Sequence, residues 1–283
     1  GKGFSFAETK KERWHFSAPF YTETGELVKP ADTNTCAFAI RNYLKNKAKL
    51  TKNLAVITAA TPGIFGFNEE FRNSLKKQYI DVGIAEEHAV ALASALAKSG
   101  AKPVLAFNSS FIQRTYDQLS QDLALNKSPA VILVYRGELS KASATHLGIF
   151  DLQLTNNIPN LVCLSPSNTN ETLSILDWAI EQNEHPVIIR VPTEEVSEDI
   201  VFEDFDGQIN KFKMVDEQKD IALVGLGKFL DIAKDVQKIL NEKYNLSASV
   251  INPVYSNGFD IEFLNNLKQS HKLVVTFENA VLD

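Results

Sequence analysis

A chain of 283 residues is long enough for two domains at roughly 100 to 200 residues each, and 44% hydrophobic with 23% charged residues is the balance of a globular protein rather than a disordered or fibrous one. A net charge of −6 argues against a nucleic-acid surface, which needs clustered Lys and Arg, and no apolar run approaches the roughly 20 residues of a membrane span. The expected partners are small molecules or protein, with no nucleic acid and no membrane.

The opening Gly1-Lys2-Gly3-Phe4 has no methionine and no apolar leader, and residues 1–30 carry no helix or strand pattern. The segment reads as an interdomain piece of a longer polypeptide. From there apolar, β-branched runs alternate with amphipathic stretches. Helix Thr33–Ala48 leads to strand Leu54–Ala59, then strand Tyr79–Gly83, helix Glu86–Lys98, strand Pro103–Phe107 and helix Ile112–Asn126. Strands Ala130–Tyr135, Leu161–Ser165 and Val187–Val191 come next, with helix Asn168–Gln182 before the last; Asn168 and Glu171 are spaced like a capping box. Near-continuous apolar strands separated by helices predict an α/β fold with a parallel sheet covered on both faces, here over residues 31–193. The acidic stretch Thr193–Asp206 reads as a linker, set at 194–209. A smaller α/β domain over 210–283 is expected from strand Ile221–Val224, helix Phe229–Tyr244, strand Ala248–Ile251, helix Asp260–Gln269 and strand Leu273–Phe277. Cys36 and Cys163 lie in apolar segments without CxxC or His companions and read as reduced core thiols of a cytoplasmic protein.

Three segments lie just beyond predicted strand ends, where open α/β sheets bind ligands. They are Asp81-Val82-Gly83-Ile84-Ala85-Glu86-Glu87-His88-Ala89-Val90, Asn108-Ser109-Ser110-Phe111-Ile112-Gln113-Arg114-Thr115-Tyr116-Asp117-Gln118, and Thr145-His146-Leu147-Gly148-Ile149-Phe150-Asp151. Taken alone, two acids in a helix's first turn complement its dipole, Arg114 pairs with Asp117 or Asp122, a lone His is structural, and His88 packs within its helix.

Read together and in order, these segments resemble the 1-deoxy-D-xylulose-5-phosphate synthases, thiamine-diphosphate enzymes of the transketolase superfamily. Gly1-Lys2-Gly3-Phe4 and Val275-Thr276-Phe277-Glu278-Asn279-Ala280 extend the likeness over nearly the whole chain. The resemblance implies a pyrimidine-binding domain and most of a transketolase C-terminal domain. In the family, a carboxylate at the position of Glu86 bonds the cofactor's aminopyrimidine, so that the cofactor's own amine removes the proton from its thiazolium carbon. Such a group works best with a raised pKa in an apolar setting. The resemblance further implies Phe111 stacked on the pyrimidine, Arg114 lining the site, His146 beside the reactive carbon and Phe4 near the thiamine, in place of a family tyrosine. Arg136 and Arg190 stand at or near family arginines of the substrate site. Pyruvate and glyceraldehyde 3-phosphate are the implied substrates, and a homodimer the implied assembly.

The chain departs from the family in several places. Leu139-Ser140-Lys141-Ala142-Ser143-Ala144 carries no acid where the family has Asp, Asn108 replaces a tyrosine, and Thr193 replaces the second arginine of an Arg-Tyr-Pro-Arg motif that helps bind the acceptor's phosphate. No Gly-Asp-Gly occurs, the motif through which such enzymes hold Mg²⁺ and the diphosphate, so that half of the site is expected on a separate N-terminal domain and no metal ligands are expected here. Asp206-Gly207 lies in the wrong context, and Gly225-Leu226-Gly227 is half of a dinucleotide fingerprint without its third glycine. A split transketolase, the β-chain of a 2-oxo acid dehydrogenase, and a non-enzymatic degenerate paralogue are the competing readings.

Overall fold

The computed structural model describes residues 2–15, 17–29, 35–137, 146, 148–193 and 205–280. It divides into two compact units, residues 1–34 and 35–283.

The first unit is built on aromatic packing. Gly3 donates its N–H to the Glu8 carboxylate (2.8 Å) ahead of helix α1, Ser5–Thr9. The Phe4 ring packs against Phe6, Trp14 and Phe20 at 5.4, 5.1 and 5.7 Å. A bridge between Phe20 and Leu27 and a bond from Arg13 to the Gly25 carbonyl (2.8 Å) close the loop. One helical turn is too short to register as periodicity, so the expectation of no regular structure here is corrected at Ser5–Thr9.

The second unit begins with helix α2, Cys36–Leu50, which buries Ala37, Ile40, Leu44 and Ala48 at helical spacing. The predicted start at Thr33 lies outside the described residues. Strand β1, Leu54–Thr58, is buried throughout. Between it and β2, Tyr79–Asp81, the chain forms 3₁₀ turns at Pro62–Phe65 and Lys76–Gln78 and helix α3, Glu69–Leu75, none of which the sequence pattern announces. Asn68 caps α3 by accepting from Phe71 N (3.0 Å), and Phe67 and Phe71 stack at 4.4 Å in the core. Helix α4, Glu86–Lys98, has its predicted bounds, and β3 covers Lys102–Asn108.

The single helix expected over Ile112–Asn126 is corrected to a series of short turns. The chain breaks into α5, Ser109–Ile112, a 3₁₀ turn Gln113–Thr115, α6, Tyr116–Gln118, and a π turn Leu119–Ala124. Hydroxyls compete with the helical ladder here: Thr115 Oγ1 donates to the Ile112 carbonyl (2.7 Å) and Ser120 Oγ to that of Asp117 (2.9 Å). Strand β4, Val131–Tyr135, helix α7, Asp151–Asn156, strand β5, Val162–Leu164, helix α8, Thr169–Glu181, and strand β6, Val187–Val191, complete the domain. Its six strands are all parallel, in the order β2-β1-β3-β4-β6-β5. Alternation along each strand fills two cores: Val56, Val104 and Ala106 pack with α2 and α8, and Ile57, Leu105 and Phe107 with α4.

The rest forms a four-stranded sheet, β10-β8-β9-β7, from β7, Lys213–Asp216, β8, Asp220–Gly225, helix α9, Phe229–Tyr244, β9, Ala248–Asn252, helix α10, Ile261–Ser270, and β10, His271–Phe277. The antiparallel edge strand β7 adds to the elements expected from sequence. The linker residues 194–204 lie outside the described residues. Beyond them Phe205 packs edge-on against Trp178, and Gly207, at φ +70°, lies so close to the Trp178 indole that a Cβ would sit 2.1 Å from Nε1. Asp206-Gly207 is thus a packing turn.

The two sheets are bonded to one another. Leu164 bridges Tyr255, Ser165 N donates to the Val254 carbonyl (2.7 Å) and Ser256 N to that of Cys163 (2.9 Å). The buried Glu171 accepts from Ser167 N (2.6 Å), Ser167 Oγ (2.9 Å) and Asn252 Nδ2 (3.0 Å). Asn168 caps α8 by accepting from Glu171 N (2.8 Å), so the capping box is shifted: the glutamate reaches back to residue 167 rather than 168. Cys36 and Cys163 are buried thiols outside any disulfide, and no described helix is long and apolar enough to cross a membrane.

Candidate active site

Strand order places the site. The chain leaves β1 for β2 on one side and returns for β3 on the other, so the winding reverses at these strands, and open α/β sheets bind ligands beyond the C-terminal strand ends at such a point. The turn after β2 delivers Glu86 as the first residue of α4; the turn after β3 delivers Asn108 through Arg114.

Glu86 is a buried carboxylate at 3% exposure, and its Oε2 makes no hydrogen bond. The charge nearby is Arg114, whose Nη1 stands 3.4 Å from Glu86 Oε2 and whose Nε stands 3.5 Å from Glu87 Oε1. The pairing of Arg114 with Asp117 or Asp122, one of the two readings open from sequence, is replaced by this fork. The broken helix turns the guanidinium toward α4 instead of along its own axis. Phe111 is half-buried, and its ring meets that of His146 edge-on at 5.5 Å. Glu86 with Arg114, and Phe111 with His146, therefore gather around one sheet edge. His88 faces solvent instead of packing within its helix.

The sequence reading missed a feature of the same edge. Asn108 Oδ1, Ser109 Oγ, Ser110 Oγ and Gln118 Oε1 are buried without a hydrogen-bond partner, as Glu86 Oε2 is. Buried polar atoms are seldom left unpaired, and a cluster of them marks a place prepared for something else to bond. The available signal was a run of three small polar residues directly after an apolar strand.

The two remaining arginines stand apart. Arg136, one residue past β4, adopts φ +56° with its guanidinium 5.4 Å over the Tyr135 ring. Arg190 is buried in β6 and its fork is engaged inside the protein: Nε donates to Asp151 Oδ2 (2.7 Å), and Nη2 to Asp151 Oδ1 (3.3 Å) and the Gly148 carbonyl (3.2 Å). Both Nη groups reach Asn279 Oδ1 (3.4 Å). Gly137 allows this, since a Cβ there would lie 3.0 Å from that of Arg190. Residues 138–145 and Leu147, which include Thr145 and the segment without the family's acid, lie outside the described residues.

Two family models match the chain: the transketolase pyrimidine-binding domain over residues 32–198 and the transketolase C-terminal domain over 210–283. The chain belongs to the transketolase family. As a transketolase-family chain it is 34% identical to the 1-deoxy-D-xylulose-5-phosphate synthase of Clostridium acetobutylicum, over all of this chain and 45% of that protein. It is 35% identical to that of Symbiobacterium thermophilum, over all of this chain and 43% of the relative. The chain thus spans less than half the length of the curated relatives it matches. Among solved structures it is similar to a chain described as a split gene transketolase, inactive beta4 tetramer. The TM-score is 0.73 at 22% identity, covering 86% of this chain and 79% of that one. That likeness speaks to the fold.

Proposed function

We propose that this transketolase-family chain carries the pyrimidine half of a thiamine-diphosphate site and serves the reaction of its synthase relatives. In that reaction pyruvate is decarboxylated and its remaining two carbons are joined to glyceraldehyde 3-phosphate, giving 1-deoxy-D-xylulose 5-phosphate. The observation that carries the reading is the buried Glu86 Oε2, without a hydrogen bond, at the sheet edge where the winding reverses, with further unpaired polar atoms on the segment that follows β3.

These residues fit an aminopyrimidine. A flat heterocycle with ring nitrogens and an amine offers both acceptors and donors to the orphaned atoms of Asn108, Ser109, Ser110 and Glu86, while half-buried Phe111 offers a face to stack on. When bound, thiamine diphosphate supplies a carbon nucleophile able to take up pyruvate and release carbon dioxide. Glu86 holds a proton at ring nitrogen N1′. Arg114, on the solvent side, offsets part of the carboxylate's charge without forming a close hydrogen bond to it. Phe111 positions the ring, and His146, against Phe111, is the proton carrier on the substrate side. Arg136 is the substrate-facing cation. Arg190 acts by positioning the 148–151 turn, its donors being engaged there. The assignment of Phe4 rests on its motif alone. Mg²⁺ and the diphosphate are held by a separate domain, and the working assembly is a cytoplasmic homodimer.

The test supplies the diphosphate-binding half of the Clostridium acetobutylicum relative to this chain, with thiamine diphosphate and Mg²⁺. Pyruvate-dependent carbon dioxide release and product formation are measured with glyceraldehyde 3-phosphate and with unphosphorylated aldehydes. Release that Glu86→Gln lowers about 100-fold or more supports the reading. No release, or release unchanged by Glu86→Gln, overturns it, and turnover of ketose phosphates in place of pyruvate assigns the chain to transketolase chemistry.

A further inference from the structure

A cavity of about 310 Å³ opens where β5 and β6 begin, at the edge of the first sheet opposite the one that carries Glu86. Its size falls within the roughly 300 to 1,000 Å³ of small-molecule sites. One wall is residues 156–162, the passage from α7 into β5, together with His185 ahead of β6; the other is Ile209, Asn210 and Asn257 from the C-terminal part of the chain.

Both walls are held by bonds within the protein, so the space exists before any ligand arrives. Asn257 donates its Nδ2 to the Leu161 carbonyl and accepts from Cys163 N (2.9 Å). Gln182 clamps the backbone of His185, accepting from its N–H (2.9 Å) and donating to its carbonyl (2.8 Å). The Tyr255 hydroxyl donates to the carbonyl of Gln208 (2.9 Å), next to Ile209, and the Tyr116 hydroxyl donates to Asn157 Oδ1 (2.9 Å). A preformed site of this kind avoids the cost of ordering on binding.

The lining also narrows the chemistry. Among the described residues it contains no Lys, Arg, Asp or Glu, so a charged ligand would lose water and gain no counter-charge. It contains five asparagines. Asn157 and Asn257 are engaged as described, whereas the side chains of Asn156 and Asn210 make no hydrogen bond among the described residues. Each of these free carboxamides sets an N–H donor beside a carbonyl acceptor. Apolar surface comes from both walls, Pro159 on one and Ile209, 38% exposed, on the other. Paired donor and acceptor groups between apolar sides suit a flat, uncharged ring. An asparagine amide bonds the exocyclic amine and the adjacent ring nitrogen of adenine in this paired way.

We propose that this cavity binds an uncharged aminopurine, as the free base or as its nucleoside. The inference is independent of the reading of Glu86, since the cavity lies at the opposite strand ends and its test needs no turnover.

The experiment is calorimetric titration of the chain with adenine and with adenosine, beside uridine, glucose and ATP. Saturable one-to-one binding of adenine or adenosine is expected, and the tighter of the two shows whether the ribose is part of the ligand. Uridine and glucose should bind at least tenfold more weakly, by the loss of about one paired contact, and ATP no more tightly than adenosine. Asn156→Ala and Asn210→Gly should each weaken binding about fivefold to tenfold. Glycine suits position 210, where φ is +58°, and neither side chain has a bond to lose, so both melting temperatures should stay near that of the parent. If Asn210→Gly fails to fold, Asn156→Ala decides alone. No saturation with adenine or adenosine, equal affinity for glucose, tighter binding of ATP, or parental affinity in the variants overturns the proposal.

Discussion

The Arg190–Asp151 pair allows a demanding test of the packing logic. Both groups are buried, at 7% and 3% exposure of their side chains, and two bonds of 2.7 and 3.3 Å join them. Asp151→Asn keeps the shape and removes the charge. The guanidinium then retains the Gly148 carbonyl and Asn279 Oδ1, both neutral, and is left as an uncompensated buried cation. Breaking a buried pair from one side costs about 3 to 5 kcal/mol. For a chain of this size, about 2 to 4 °C per kcal/mol converts that into a fall of roughly 6 to 20 °C in melting temperature. Differential scanning calorimetry measures it, and because Arg190 also holds Asn279, the transition of the C-terminal domain should move as well. Replacing the pair together, Asp151→Leu with Arg190→Met, should recover most of the loss, since the cost lies in the orphaned charge. A fall under about 1 kcal/mol for Asp151→Asn, or a double variant as unstable as the sum of the singles, would refute the reasoning.

Four further outcomes are expected of the same structure. Glu86→Gln replaces a buried carboxyl that has no hydrogen bond to its Oε2 and should raise stability by about 1 kcal/mol in urea titration; equal or lower stability counts against the stored cost. Gly225→Ala should destabilise the C-terminal domain by about 1 to 3 kcal/mol, because the new Cβ meets backbone rather than a yielding side chain. Burial pushes the Cys163 thiol up to about 12, so neither cysteine should react with a disulfide reagent until the chain unfolds; fast labelling of the native protein contradicts this. Burial opposes the charge on Asp260, yet N–H bonds from Phe263 and Phe212 (3.0 and 3.2 Å) and Lys211 at 3.6 Å hold its carboxyl below the usual range. A folded value below the unfolded one of about 3.9 means its contribution is present above about pH 4 and lost as pH falls through the folded value. Asp260→Asn should flatten that acid limb, and an unchanged acid profile would show the bonds to be idle.

Elements with one strong periodicity were legible from sequence. Helices Glu86–Lys98 and Phe229–Tyr244 have their predicted bounds, because each carries a clear apolar stripe between a turn and a polar end. The stretch 60–78 was not, because its order comes from Phe65, Phe67 and Phe71 packing on one another between Pro and Gly rather than from a repeat. Strand β7 escaped because an exposed edge strand such as Lys213–Asp216 carries almost no apolar alternation. At the site, motif order could point to Glu86, Phe111, Arg114 and His146 as companions. It could not show that Arg114 turns to Glu86 and Glu87, nor that the Arg190 fork is engaged by Asp151, Gly148 and Asn279, since both depend on where a helix breaks and which loop folds over a strand.

The bridge between Leu164 and Tyr255 has a bearing on solubility. Strand β5 ends the six-stranded sheet, and Val162, Cys163 and Leu164 would offer a row of unpaired amides and carbonyls if nothing lay alongside. The segment 254–256, borrowed from the C-terminal domain, shields them. A shortened chain ending before residue 205 would keep its own core yet expose a sticky flank, and its molecules would join edge to edge into aggregates.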